Sequence, residues 1–260
     1  LNKVIDIKNV DWLRDGKVIL SDINWQVKRG EHWAVLGLNG SGKTTLLNMI
    51  NGYIWPTTGK VSVLEQPFGK TDIRELRKSI GWVSSSLQER INGTEYGENI
   101  VVSGKFASIG LYEEPTVEDY QHARELLEQL GCSHLAERKY QTCSQGEKQK
   151  ILIARGLMAS PELLILDEPT NGLDFISREG LLAAINQFAL QDDAPTIIFV
   201  THHIEEIIPI FTNTLLLRNG AVFNRGKSKD ILTSENLSHF FDIPLDVAWR
   251  KNRAWVTIID

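Results

Sequence analysis

The amino-acid sequence predicts an α/β protein with a mostly parallel sheet, an antiparallel β subdomain at the N-terminal end and a helical subdomain inserted in the core. Three observations carry this. Short apolar runs, Leu163-Leu164-Ile165-Leu166 and Thr196-Ile197-Ile198-Phe199-Val200, alternate with helical stretches. Strands of that kind are buried on both faces, as in parallel sheets. The N-terminal part alternates strand and turn signals, whereas from about residue 93 to 160 apolar residues recur at three- and four-residue steps.

The elements follow in chain order. Val4, Ile5 and Ile7 mark a first strand, and residues 18–27 a second, ended by Lys28-Arg29-Gly30. His32-Trp33-Ala34-Val35-Leu36 is a third. A glycine-rich turn follows, then a helix from Lys43 through Asn51, closed by Gly52. In the middle region Val117, Tyr120, Ala123, Leu126, Leu127 and Leu130 share one helical face. Thr116 is the expected N-cap of that helix, with Asp119 three positions on and Gly131 at its end. After Pro161 the strand–helix rhythm returns, and Asn219-Gly220 signals a hairpin turn. Residues 1–232 are expected to form one domain, with a helical subdomain at about 93–160. Residues 233–260, with Phe240, Phe241, Trp249 and Trp255, are expected to add a short helix and strand packed on the core.

Composition narrows the function. With 42% hydrophobic and 23% charged residues over 260 positions, the chain is long enough for a sizeable core. A net charge of -5 gives no support for a nucleic-acid-binding face. Two cysteines, Cys132 and Cys143, make neither a disulfide framework nor a zinc pattern, so reduced thiols in a cytoplasmic protein are expected. No apolar run approaches the roughly 20 residues that span a bilayer. Asn2-Lys3-Val4-Ile5-Asp6 lacks the apolar core of a signal peptide. Work at a membrane would need a second chain to supply the membrane part.

The chemistry concentrates at Gly37-Leu38-Asn39-Gly40-Ser41-Gly42-Lys43-Thr44, which fits G-x-x-x-x-G-K-[ST] between a strand and a helix. Glycines let several N–H groups point at one anion, and the helix adds the positive end of its dipole. Lys43 is expected to reach the β- and γ-phosphates of a nucleotide, and the Thr44 hydroxyl to ligate Mg²⁺. Thr45 completes the expected nucleotide-binding stretch. Downstream, the apolar run 163–166 ends in Asp167-Glu168. Asp167 at the strand tip is expected to hold Mg²⁺ through water, and Glu168 to polarise an attacking water as general base. Adjacent residues leaving a strand point in different directions, so the two acids can serve different partners.

Over about residues 2–232 the chain resembles the nucleotide-binding domain of ABC (ATP-binding cassette) ATPases, on a P-loop NTPase core. Cys143-Ser144-Gln145-Gly146-Glu147 stands where that family has its signature, usually L-S-G-G-Q, and residues 149–157 continue the pattern. Asn171-Gly172-Leu173-Asp174 is similar to the family's D-loop, and Thr201-His202 to its switch histidine. The resemblance implies Mg-dependent ATP hydrolysis by a head-to-tail pair of cassettes, with ATP between the P-loop of one and the signature of the other. It implies that Ser144 and the Gly146 N–H hold the partner's γ-phosphate at a helix start. His202 is expected to contact that γ-phosphate and the D-loop, where Asp174 lies, while His203 is a spectator.

Three departures from the family pattern stand out. Ser85 follows Ile80-Gly81-Trp82-Val83-Ser84, where the family has a glutamine near Mg²⁺ and the attacking water. Ser85 still offers an oxygen, and Gln88 is an alternative three residues on. The aromatic that stacks on adenine is replaced by Arg14, with Trp12 two positions earlier as the other candidate. In the signature, Cys143, Gln145 and Glu147 replace Leu, Gly and Gln, and Cys143 is expected to pack as a small apolar residue. Residues 83–87 are similar to a bacterial subset described as molybdate- or metal-transport ATPases.

Two functions are compatible with this pattern. One is the ATP-binding subunit of a transporter, with a second cassette and an integral membrane permease as partners, on the inner face of the cell membrane. The other is a soluble ABC ATPase that remodels a nucleic-acid or protein complex. The single cassette favours the first.

Overall fold

The computed structural model describes residues 2–106, 110 and 114–259. Leu1 and Asp260, the ends of the two expected segments, lie outside the described residues, as do 107–109 and 111–113 of the expected helical subdomain. Two compact units divide the chain: Leu1–Arg77 with Thr196–Asp260, and Lys78–Pro195.

In the first unit, β1 (Lys3–Arg14) and β2 (Lys17–Lys28) form an antiparallel hairpin, and β1 also pairs with β4 (Thr58–Val63), which pairs with β5 (Gln66–Pro67). Along β2, Ile23, Trp25 and Val27 are buried and alternate with more accessible Asn24 and Gln26, the period of a strand with one covered face. β3 (Trp33–Leu36) lies between β8 (Thr196–Thr201) and β9 (Asn213–Arg218), parallel to both. Every residue of β3 and β8 is buried, so these strands read as continuous apolar runs. β10 (Ala221–Lys227) returns antiparallel to β9. Trp25 and Trp33 meet edge to face with ring centroids 5.8 Å apart, joining the hairpin to β3. Phe199 stacks on Phe211 at 4.9 Å. Helices α1 (Lys43–Ile50), α2 (Ile73–Lys78) and α8 (Ser228–Ile231) complete the layers, α2 ending at the boundary of the unit.

The C-terminal tail differs from expectation. It forms α9 (Ser234–Phe241) and then a two-stranded hairpin, β11 (Leu245–Arg250) and β12 (Arg253–Ile258), rather than a helix and one strand. The turn is Lys251-Asn252, both with positive φ (50° and 58°). A two-residue turn of this kind is ordinarily signalled by glycine, and Lys-Asn hides it. Arg218 anchors the tail through the His239 carbonyl at 2.7 Å and the Asp242 carboxylate.

In the second unit, β6 (Ile80–Val83) runs parallel to β7 (Leu163–Asp167). The short α3 (Ser85–Gln88) follows β6, then α4 (Gly97–Ser103), α5 (Val117–Gln129), α6 (Gln145–Leu157) and, after β7, α7 (Phe175–Ala189). The cap of α5 is as expected: Thr116 accepts from the Asp119 N–H, and the Asp119 carboxylate accepts from the Thr116 N–H. Lys105 binds the same carboxylate at 2.7 and 2.8 Å. The α/β reading, with a mostly parallel sheet and an antiparallel subdomain, is borne out. Among the described residues no helix is long and apolar enough to cross a membrane.

The turn between β9 and β10 positions the loop after β3. Gly220 donates to the Ser41 carbonyl at 2.9 Å and accepts from the Ser21 N–H at 2.8 Å. Its φ is 76°, and a Cβ there would lie 2.1 Å from the Ile19 carbonyl oxygen. Gly220→Ala is expected to destabilise the protein by about 1–3 kcal/mol, whereas Asn219→Gly, which keeps the turn, is expected to be close to neutral. Thermal unfolding of the two variants side by side checks this.

Candidate nucleotide site

In the first unit, residues 37–44 curl tightly between β3 and α1. A Cβ at Gly37 would lie 2.5 Å from Ser41 Oγ and 2.7 Å from the Leu217 carbonyl oxygen, so only glycine fits there. The Ser41 N–H donates to the Leu38 carbonyl at 3.1 Å, closing the curl. Gly40 and Gly42 have φ of 79° and 101°, and Gly42 is the N-cap of α1. No side chain caps that end and its first turn holds no acidic residue, so the amides of α1 face the loop with their partial positive charge unopposed. Lys43 is only 6% exposed, and its ammonium donates to the carbonyls of Gly37 at 2.7 Å and Leu38 at 3.3 Å. Leu38, Asn39 and Thr44 are exposed and Thr45 is half-buried. Ser41 Oγ is buried with no hydrogen-bond partner among the described residues. A cradle that a Cβ would fill, an orphaned hydroxyl and a buried ammonium together fit a phosphate chain.

β8 brings His202 to the same sheet end. Leu36 pairs with Thr201, so Gly37 and His202 are the first residues beyond two neighbouring parallel strands. Arg14 ends β1 opposite Lys17, exposed, 3.7 Å from the Asp15 carboxylate. Trp12, half-buried, pairs with Leu20. Trp12 and Arg14 lie two apart on β1, and the register shift between the Trp12–Leu20 and Leu13–Val18 pairs leaves its extra residue, Ile19, on β2.

The second unit repeats this arrangement with other residues. Val83 pairs with Leu166, so Ser85, two residues past β6, and Asp167-Glu168, the last residue of β7 and the one after it, lie at one end of neighbouring parallel strands. Both acids are half-buried and Ser85 is exposed. Glu168 has a φ of 50°, in the left-handed region, a cost on the order of 1–3 kcal/mol for a residue with a side chain. The Asn171 N–H donates to its carbonyl at 3.1 Å. Asp174 caps α7, accepting from the Ser177 N–H at 2.9 Å and hydroxyl at 2.8 Å. These bonds hold its carboxyl below the usual range. Ser177 also lies against the signature: a Cβ at Gly146 would be 3.2 Å from Ser177 Cβ. The 143–147 and 171–174 segments are thereby brought together.

The signature departures have structural reasons. Ser144 is the N-cap of α6, accepting from the Glu147 N–H at 3.3 Å, while the Glu147 carboxylate accepts from the Ser144 N–H at 2.7 Å. This capping box was legible as S-x-x-E. Burial pushes Glu147 up, but Ser144, His134 and the Arg138 guanidinium at 3.0 Å outweigh it, and the carboxyl ends below its ordinary value. Gln88 does not stand alone. Its amide exchanges two bonds with Gln145, both 3.0 Å, and accepts from Gln149 at 2.9 Å. No sequence pattern announces this cluster, because its members are 57 and 61 positions apart. Cys143 is buried, 3.5 Å from the Lys139 carbonyl, and burial raises its pKa, as for a packed thiol.

The donors expected to hold Mg²⁺, Thr44, Asp167 and Ser85, are all oxygens, the set that suits a hard cation. Among the described residues no cluster of three or more His, Cys, Asp or Glu side chains offers an all-protein metal cage.

A family profile described as ABC transporter matches residues 20–171. The chain is 51% identical to the uncharacterized ABC transporter ATP-binding protein YlmA of Bacillus subtilis, covering 98% of this chain and 97% of the relative. It is 33% identical to the molybdate import ATP-binding protein MolC of Haemophilus influenzae, over 94% and 90% of the two chains. Among solved structures it is similar to the dimeric bacterial ABC transporter cassette MJ0796, with a TM-score of 0.72, 26% identity and coverage of 86% and 98%.

Glu147 supplies a test of the signature cap. Because its folded pKa is lowered, its contribution to stability is fully present above the usual 4.5 and is lost as pH falls through the lowered folded value. Glu147→Ala is expected to cost about 1 kcal/mol at neutral pH. Glu147→Gln should keep most of the cap and lose the acid-dependent part. Urea titrations of the three proteins at neutral and acid pH measure both.

Proposed function

The chain belongs to the ABC transporter family and is an ATPase, and from that membership we propose that two copies pair head to tail to drive transport by a separate integral membrane permease. The chain itself is then cytoplasmic and peripheral on the inner face of the membrane. The cassette is residues 1–232, with the helical subdomain at about 93–160, and 233–260 is an extension on it. The observation that carries the reading is the 37–44 loop, where uncapped amides of α1 and a buried ammonium converge on one small curl. The transport names of its relatives favour this reading over remodelling of a nucleic-acid or protein complex, and nucleic acid is not an expected partner.

On this reading Lys43 exchanges the carbonyls of Gly37 and Leu38 for the β- and γ-phosphate oxygens. The N–H groups of 39–45 bind the remaining phosphate oxygens, with the α1 dipole behind them. Thr44, Asp167 and Ser85 are the oxygen donors that would hold Mg²⁺, which would supply neutralisation of phosphate charge when bound with ATP. Glu168 accepts a proton from the water that attacks the γ-phosphorus. His202 hydrogen-bonds the γ-phosphate. Ser144 and the Gly146 N–H of the second copy approach the same phosphate from the start of α6, and Asp174, by capping α7 beside Gly146, keeps that end in place. Arg14 covers the adenine through its guanidinium face.

Glu168→Gln keeps the shape of the side chain and removes its basicity. It is expected to bind ATP as tightly as the parent, to lose about 10²-fold or more of turnover, and to accumulate as an ATP-bound dimer on size exclusion. The parent's specific activity is expected to rise with protein concentration. Near-normal turnover by the variant would remove Glu168 from the base role.

A further inference from the structure

After Thr201 the chain turns at once, through His202 and His203 into the 3-10 turn Ile204–Glu206. Local bonds brace this segment. Thr201 Oγ1 donates to the buried Glu206 carboxylate at 2.5 Å and accepts from the His203 N–H at 3.0 Å. The His203 ring lies against the His202 ring, with centroids 4.1 Å apart, and His203 Nδ1 is 3.6 Å from the Glu205 carboxylate. His202 is thus supported by His203, and His203 by Glu205.

Glu205 is held in turn from the C-terminal hairpin. β12 packs on the Ile204–Glu206 turn. Arg253, its first residue, donates Nε–H to the Glu205 main-chain carbonyl. The two positive-φ residues Lys251 and Asn252 close the hairpin so that Arg250 and Arg253 face one another. Ala254 is fully buried next to it, and the guanidinium lies 5.4 Å from the Trp255 ring centroid. Beyond the turn lies a pocket of about 550 Å³ lined by Ile207, Ile208, Pro209, Trp249 and Asn252. The hairpin therefore grips the turn at Glu205. A guanidinium bonded to a carbonyl is a charge-assisted contact, stronger than a neutral one.

We propose that Arg253 is a positioning residue for His202, through which the C-terminal hairpin fixes the turn that aims this histidine. The inference rests on the reading of His202 as a γ-phosphate contact. Arg253 acts through the main chain of Glu205, so its loss should slow turnover without weakening ATP binding.

The test is steady-state hydrolysis of Mg-ATP by the full chain and its His202→Ala, Arg253→Ala and Arg253→Lys variants, with unfolding temperatures alongside. Arg253→Ala is expected to lower kcat by about tenfold, as misplacement of a catalytic group does, with KM for ATP held within about twofold. Arg253→Lys, which can still donate to the Glu205 carbonyl, is expected to recover most of the loss. If His202→Ala turns over normally, the reading of His202 fails and the inference with it. If His202→Ala is impaired and Arg253→Ala is not, the inference alone fails. Equal losses of kcat, nucleotide affinity and unfolding temperature in both Arg253 variants would show a merely structural role and also overturn it.

Discussion

The curl of main chain from Gly37 to Thr44 is the constraint on which the first unit depends. Eight residues must reverse direction and leave their amides pointing inward, and little side-chain volume can be admitted while they do so. The neighbouring elements supply what the curl lacks. β3 delivers it from between β8 and β9. The β9–β10 turn holds it by one main-chain bond at Ser41, and that turn is itself bonded to β2 at Ser21. Trp25 and Trp33 seal the hairpin against the strand that leads into it. Burial of large aromatic and aliphatic side chains thereby becomes rigidity in a segment that has almost none to bury.

The second unit solves a different problem, the exact start of a helix. α6 begins just after Ser144, and on the proposed function the hydroxyl and amides offered there are those that would meet the phosphate. A capping box fixes the first turn, and Arg138 and His134 hold the acidic member from outside. The substitution of Glu for Gln in the signature is therefore compatible with the local geometry: either side chain can accept from the Ser144 N–H, and the acid gains a cationic neighbour. Asp174 applies the same device to α7, so two helix starts are set by short polar side chains and meet at Gly146 and Ser177.

Much of this was legible in the sequence for local reasons. The loop, the apolar strands, the Asp167-Glu168 pair and the Thr116 cap each depend on residues within a few positions of one another, so a linear pattern records them. Where the sequence was silent, the contact was distant or the conformation unusual for its residue. Gln88 meets Gln145 and Gln149 across more than fifty positions. Glu168 sits in a left-handed conformation that nothing in Leu-Asp-Glu-Pro suggests. Lys251-Asn252 makes a turn without glycine, which concealed the second strand of the tail.

The amide cluster at Gln88 has one more physical property. Its three members carry no formal charge, so ions in the medium do not screen it and acid does not titrate it. The carboxylate of Glu147, two residues from Gln145 on the same helix, is sensitive to both. The segment after β6 is therefore fastened to the signature helix by a joint indifferent to ionic surroundings, beside a cap that responds to them.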